Sequence, residues 1–166
     1  MRNIEAWRKV WREGFAPQFT RKALACLLDG LKRDDPRIIQ GATCSPPPLQ
    51  CVQDWPVEMG DALIYAYWQG EFGGDCTVLQ AETRFAQLCF ECGLVLKEPA
   101  ACRWFLNWHD DTPREQMFRE LAQEVYRAIV KINLFAVPVD DPIALALRRA
   151  FPQELSGLYT ADEIAK

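Results

Sequence analysis

Between Thr77 and Asn133 the chain carries two helix-start signals, each followed by a long apolar stripe, which commits it to helix-on-helix packing. Thr77-Val78-Leu79-Gln80 has the form of a capping box, in which the hydroxyl and amide side chains satisfy each other's orphan backbone donors. Behind it, Ala81, Phe85, Leu88, Cys89 and Cys92 recur at helical spacing, and Gly93 is placed to end the helix in a left-handed turn. Thr112-Pro113-Arg114-Glu115 adds proline at the first helical position to a second capping box. Phe118, Leu121, Val125, Ile129 and Ile132 then share one face, while Arg114, Arg119, Glu120, Gln123, Glu124, Arg127 and Lys131 occupy the rest. The pattern predicts an amphipathic helix of about twenty residues. Pro99 to His109 predicts a shorter helix with Trp104 and Trp108 one turn apart.

Upstream, Asn3 can cap a first helix bearing Ile4, Trp7, Val10 and Trp11, with Gly14 at its end. Its glutamates, Glu5 and Glu13, favour docking on the protein body over a membrane surface. A second helix is predicted over 18–33, stopped by Asp34-Asp35-Pro36. Asp54 can cap the next, which continues through the apolar run Leu63–Trp68 and must be buried by the fold or by a partner. Gly70, Gly73 and Gly74 break the chain before Thr77. After Asn133, Asp141-Pro142 opens a short helix with Ile143, Leu145 and Leu147, and Thr160–Glu163 can cap a last turn. With no repeat and no strand alternation, the fold class is all-α. Residues 1–166 are expected to form a single compact domain of six or seven helices in an orthogonal or bundle-like array. The exception is the irregular 40–55 loop, where Ser45-Pro46-Pro47-Pro48 predicts polyproline II.

At 166 residues and 49% hydrophobic, the chain can bury a proper core. No apolar run is long enough to span a membrane, and the N-terminus lacks a signal-peptide segment. Seven cysteines, an odd number, sit mostly in apolar helical positions, which leads us to expect reduced thiols and a cytoplasmic location. A net charge of −4 and the lack of a recognition motif make nucleic acid an unlikely partner. Residues 1–33 nevertheless hold eight basic against three acidic side chains, expected to pair with acidic neighbours within the fold or across a dimer.

Cys89, Cys92, Cys102 and His109 make a chemically coherent zinc set. Their spacing is equally that of a core stripe, and core packing without a cofactor is the preferred reading. One histidine in the chain cannot build multi-histidine phosphohydrolase, haem or His-Glu-x-x-His sites. A Cys–His nucleophile would need Cys44 or Cys51 beside His109, and neither Ser45 nor Ser156 lies in a nucleophile-elbow sequence. The expected function is therefore non-catalytic: a helical interaction or regulatory module, self-associating as a homodimer or binding another protein. One alternative is a zinc or thiol site, structural or enzymatic, on the four residues above. Another is a groove for a small ligand or peptide along the 40–55 loop, drawing on Cys44, Cys51, Trp55, Tyr65, Trp68, Trp104 and Trp108. Core packing of the four candidate ligands predicts no stoichiometric zinc. Elemental analysis finding one zinc per chain, lost on Cys92→Ser, would contradict it.

Overall fold

The most apolar stretch of the chain, Leu63 to Trp68, lies at the centre of the fold. The computed structural model describes residues 5–45 and 54–136. Among them, α3 (Ala62–Tyr65) continues as a π-helical turn over Ala66–Glu71, and every side chain from Ala62 to Ala66 is buried. Around it stand α1 (Ala6–Lys9, with a π-helical continuation Val10–Phe15), α2 (Arg21–Lys32), α4 (Val78–Leu96), α5 (Cys102–Asp111) and α6 (Arg114–Ala136). The architecture is all-α with six helices among the described residues. The only paired strands there are β1 (Cys44–Ser45) and β2 (Met59–Gly60), antiparallel with Cys44 opposite Gly60. The readings of Asn3, Cys51, the triple proline and everything beyond Ala136 fall outside the described residues.

α2 approaches α3 closely because glycine lets it. A Cβ on Gly70 would lie 2.3 Å from the Ala23 Cα of α2, and one on Gly30 would lie 2.6 Å from the Tyr65 ring. Removing Cβ at both crossings brings α2 and α3 into near backbone contact. On its far side α2 packs along α6, whose buried stripe is Met117, Phe118, Leu121, Val125 and Ile132. α1 buries Trp7, Val10, Trp11 and Phe15, so its tryptophans dock on the protein body, and Trp7 stacks on Trp108 of α5 at 3.5 Å.

Several helix ends differ from the sequence reading. Asp61, not Asp54, caps α3, accepting the Ile64 N–H at 2.8 Å, because residues 54–60 form bridges and the short strand β2 instead. Gly14 does not end the first helix: a Cβ there would meet the Cys92 sulfur at 2.5 Å, so this glycine makes room for α4. Nor does Gly93 end α4. The helix runs to Leu96 and turns at Lys97, φ 56°, with Glu98 N–H bonded to the Gly93 carbonyl at 3.1 Å and Lys97 N–H to that of Leu94 at 3.3 Å. That is a Schellman pair with lysine in the left-handed position, which costs about 1 kcal/mol. Gly93 is instead pressed against the Pro99 backbone as the chain folds back. The second helix starts at Arg21 under a Thr20 cap, and the fifth at Cys102 after a turn. The capping box at Thr77 forms as expected.

The basic N-terminal segment spends much of its charge inside the fold. Glu124 of α6 is 3% exposed and accepts from Arg12 Nε and Nη2, both at 2.7 Å, and from Arg8 Nη1 at 3.0 Å. Burial alone would raise its pKa, but the two guanidinium groups outweigh that and hold it low. Glu124→Ala would remove three charge-assisted hydrogen bonds, while Arg8 keeps Glu5 and both guanidinium groups can regain water, so the expected loss is about 2 kcal/mol of unfolding free energy. Arg119→Ala, exposed on the same helix, should change it by less than about 0.5 kcal/mol. Denaturant unfolding of the two variants checks the contrast.

Candidate interaction surface

The zinc set divides into two parts. Cys89 and Cys92 on α4 lie towards Cys102, the first residue of α5, which raises the pKa of both after burial has done so. His109 belongs elsewhere. It is fully buried, its Nε2 accepts the Ala62 N–H at 3.2 Å, and its Nδ1 lies 2.8 Å from the Asp110 carboxylate. Both ring nitrogens are thus occupied. Among the described residues no three His, Cys, Asp or Glu side chains are grouped to hold a metal ion. Cys26, Cys44, Cys76, Cys89, Cys92 and Cys102 are all free thiols.

The residues proposed to line a groove scatter more widely. Tyr65 and Trp68 are core, in edge contact at 6.2 Å; Trp68 donates to the Gly74 carbonyl at 3.0 Å. Cys44 is buried, its thiol pointing at Glu82 Oε1 at 3.4 Å; burial first, then that carboxylate, pushes its pKa up to about 12. A thiol so held is a poor nucleophile. Trp108 is fixed by its stack on Trp7. Trp55 and Trp104 face solvent, 53% and 50% exposed. Cys51 lies outside the described residues.

Behind the surface is a polar cluster the sequence reading missed. Asp61 is buried at the start of α3, and burial raises its pKa to about 7 although His109 pulls the other way. Asp110 accepts from the Gly41 N–H at 3.0 Å and from His109; burial opposes its ionisation, but these bonds keep its pKa low. Gln40 donates at 2.7 Å to the carbonyls of both His109 and Thr112, closing the end of α5. The legible signal was Asp61 itself, a capping residue directly before an apolar run, overlooked in favour of Asp54.

The outer face of α4 stands out. Leu79, Thr83, Ala86, Phe90 and Leu94 recur at steps of four, three, four and four residues, all five are exposed, and none is charged. Leu79, Phe90 and Leu94 keep 48%, 68% and 57% of their surface in water. Such a stripe, about 22 Å long, is the form a helix takes when it packs against another helix. Sequence reading took the opposite face as the apolar one and so passed over it. The chain matches no family model, no curated protein and no solved structure.

Asp61 gives a signed pH dependence. Its folded pKa exceeds the unfolded 3.8, so its contribution is fully present below that value and lost as pH rises through about 7. Unfolding free energy measured at pH 4.5 and 7.5 should fall with rising pH, by at most about 4 kcal/mol from this group. Asp61→Asn, which keeps a cap acceptor, should flatten that slope; an unchanged slope would remove Asp61 as its source.

Proposed function

We propose that the protein is a non-catalytic helical interaction module that self-associates through the outer face of α4. The observation that carries this is the order of sizes along the exposed stripe. Leu79, Thr83, Ala86, Phe90 and Leu94 read large, small, small, large, large. Turned end for end against a second copy, Leu79 meets Leu94, Thr83 meets Phe90, and Ala86 meets its own counterpart at the two-fold axis. Each ring faces a short side chain and the smallest residues lie where the helices cross most closely, which is self-complementarity of the kind an isologous dimer requires.

Arg8, Arg12 and Arg33 pair within the chain, so basic-to-acidic attraction between copies is a minor support for this reading. Membrane attachment through a spanning segment gains no support, since no described helix is long and apolar enough to cross a bilayer.

Ala86→Glu tests the dimer without touching the core, because Ala86 is exposed and its replacement sets two carboxylates face to face at the axis. Wild-type protein at micromolar concentration should scatter light with the mass of two chains. Ala86→Glu should have the mass of one and an unchanged circular dichroism spectrum. A wild-type mass of one chain at all concentrations overturns the reading.

A further inference from the structure

Trp55 and Lys97 stand at opposite ends of α4. Trp55 is held against the first turn of the helix by its backbone. Its carbonyl accepts the Val78 N–H at 2.8 Å, Pro56 forms a β-bridge with Thr77, and the Val57 N–H donates to the Cys76 carbonyl at 2.9 Å. The Trp55 side chain nonetheless keeps half its surface in water. At the other end Lys97 is exposed and holds φ 56°, a conformation that glycine adopts freely and lysine only at a cost. Strain kept at an exposed position points to a use for the side chain that causes it.

We propose that Trp55 of one copy packs on Lys97 of the other, an anchor contact made twice, once at each end of the α4 dimer. This rests on the self-association read from the stripe. Val78 lies eight residues before Ala86, about 12 Å along the helix, and the two-fold axis carries it to the level of Leu94 in the second copy. Trp55, bonded to Val78, arrives there with it, and Lys97 follows Leu94 by about one turn. The stripe alone is narrow for a dimer. About 22 Å of a helix roughly 10 Å across presents on the order of 200 Å². Even doubled for the relief of its side chains, that falls short of the ~800 Å² per partner of a stable interface. Crossed helices also part towards their ends, where leucine no longer spans the gap. A tryptophan at each end fills it with the kind of side chain that anchors interfaces. Lysine suits the facing position, since its stem lies along the ring while the ammonium sits over the ring face and within reach of water. Glycine there would relax the turn and lose both contacts.

Light scattering across a dilution series reads the dissociation constant of each variant. Trp55→Ser and Lys97→Gly should each raise it about tenfold, with unchanged circular dichroism. The double variant should lose less than the product of the two, because both remove the same contact. Trp104→Ser, which removes a ring of similar exposure on α5, should leave the constant as it is. Lys97→Gly carries a second signature. In the monomeric Ala86→Glu background it should raise the denaturant midpoint, since the left-handed turn is then unstrained, so the variant binds its copy less tightly while the chain itself is more stable. Trp55→Ser or Lys97→Gly dimerising as tightly as wild type, while Ala86→Glu is a monomer, overturns the anchor contact and leaves the α4 dimer standing. Equal weakening by Trp104→Ser, or full additivity in the double variant, overturns it too. A wild-type mass of one chain at all concentrations overturns both.

Discussion

The hydrogen bond from the Tyr65 hydroxyl to the Asp35 carboxylate, 2.7 Å long and buried, ties the central helix to everything on its α2 side. Tyr65 reaches Asp35 because Gly30 leaves room for its ring, so a missing side chain on α2 sets the direction of a present one on α3. Asp35 in turn gathers Arg37 through both guanidinium and backbone nitrogens, and Arg33 at 3.1 Å. Hydrogen bonding from Arg37 is the main reason its pKa lies well below the usual carboxylate range. Arg114, the first residue of α6, donates to the Asp35 carbonyl at 2.8 Å and to that of Ile38. The Asp35 carboxylate thus fixes how α2 ends and how α3 is rolled, while its main-chain carbonyl helps to hold the start of α6.

A second carboxylate, Glu124, does the same for α1 and α6. The arrangement uses arginine where a fork of donors can serve a buried anion from two sides. It also changes what the uneven charge along the chain means. The basic N-terminal segment looks like a surface prepared for an acidic partner, and in the folded protein part of that partner is the chain's own α6 and the turn after α2. The self-association proposed above therefore rests on shape along α4 rather than on charge.

Periodicity exposed the helices well because it reports which face is buried, and the stripe of α6 and the box at Thr77 appear where residue spacing puts them. Glycines were misread for a physical reason. Gly14 and Gly93 look like stops because a lone sequence shows only conformational freedom; their use here is to admit Cys92 and Pro99, contacts made by residues distant in the chain or across a turn. The same limit applies to the cysteines. Cys89 and Cys92 advertise a local pair, but that both lie towards Cys102 depends on the α4–α5 crossing. His109 could be read as a ligand only until the N-terminus of α3 was found against it.

Asp61 has a consequence for how folding itself is measured. Between the acid range, where an unfolded aspartate already ionises, and about pH 7, where the buried one does, the folded chain carries a proton that the unfolded chain has released. Folding at mildly acidic pH is then a proton-uptake reaction, and that proton must be drawn from the buffer. The heat recorded on unfolding will include the buffer's own ionisation enthalpy, so two calorimetric scans at one pH in different buffers will disagree while the stability they report does not.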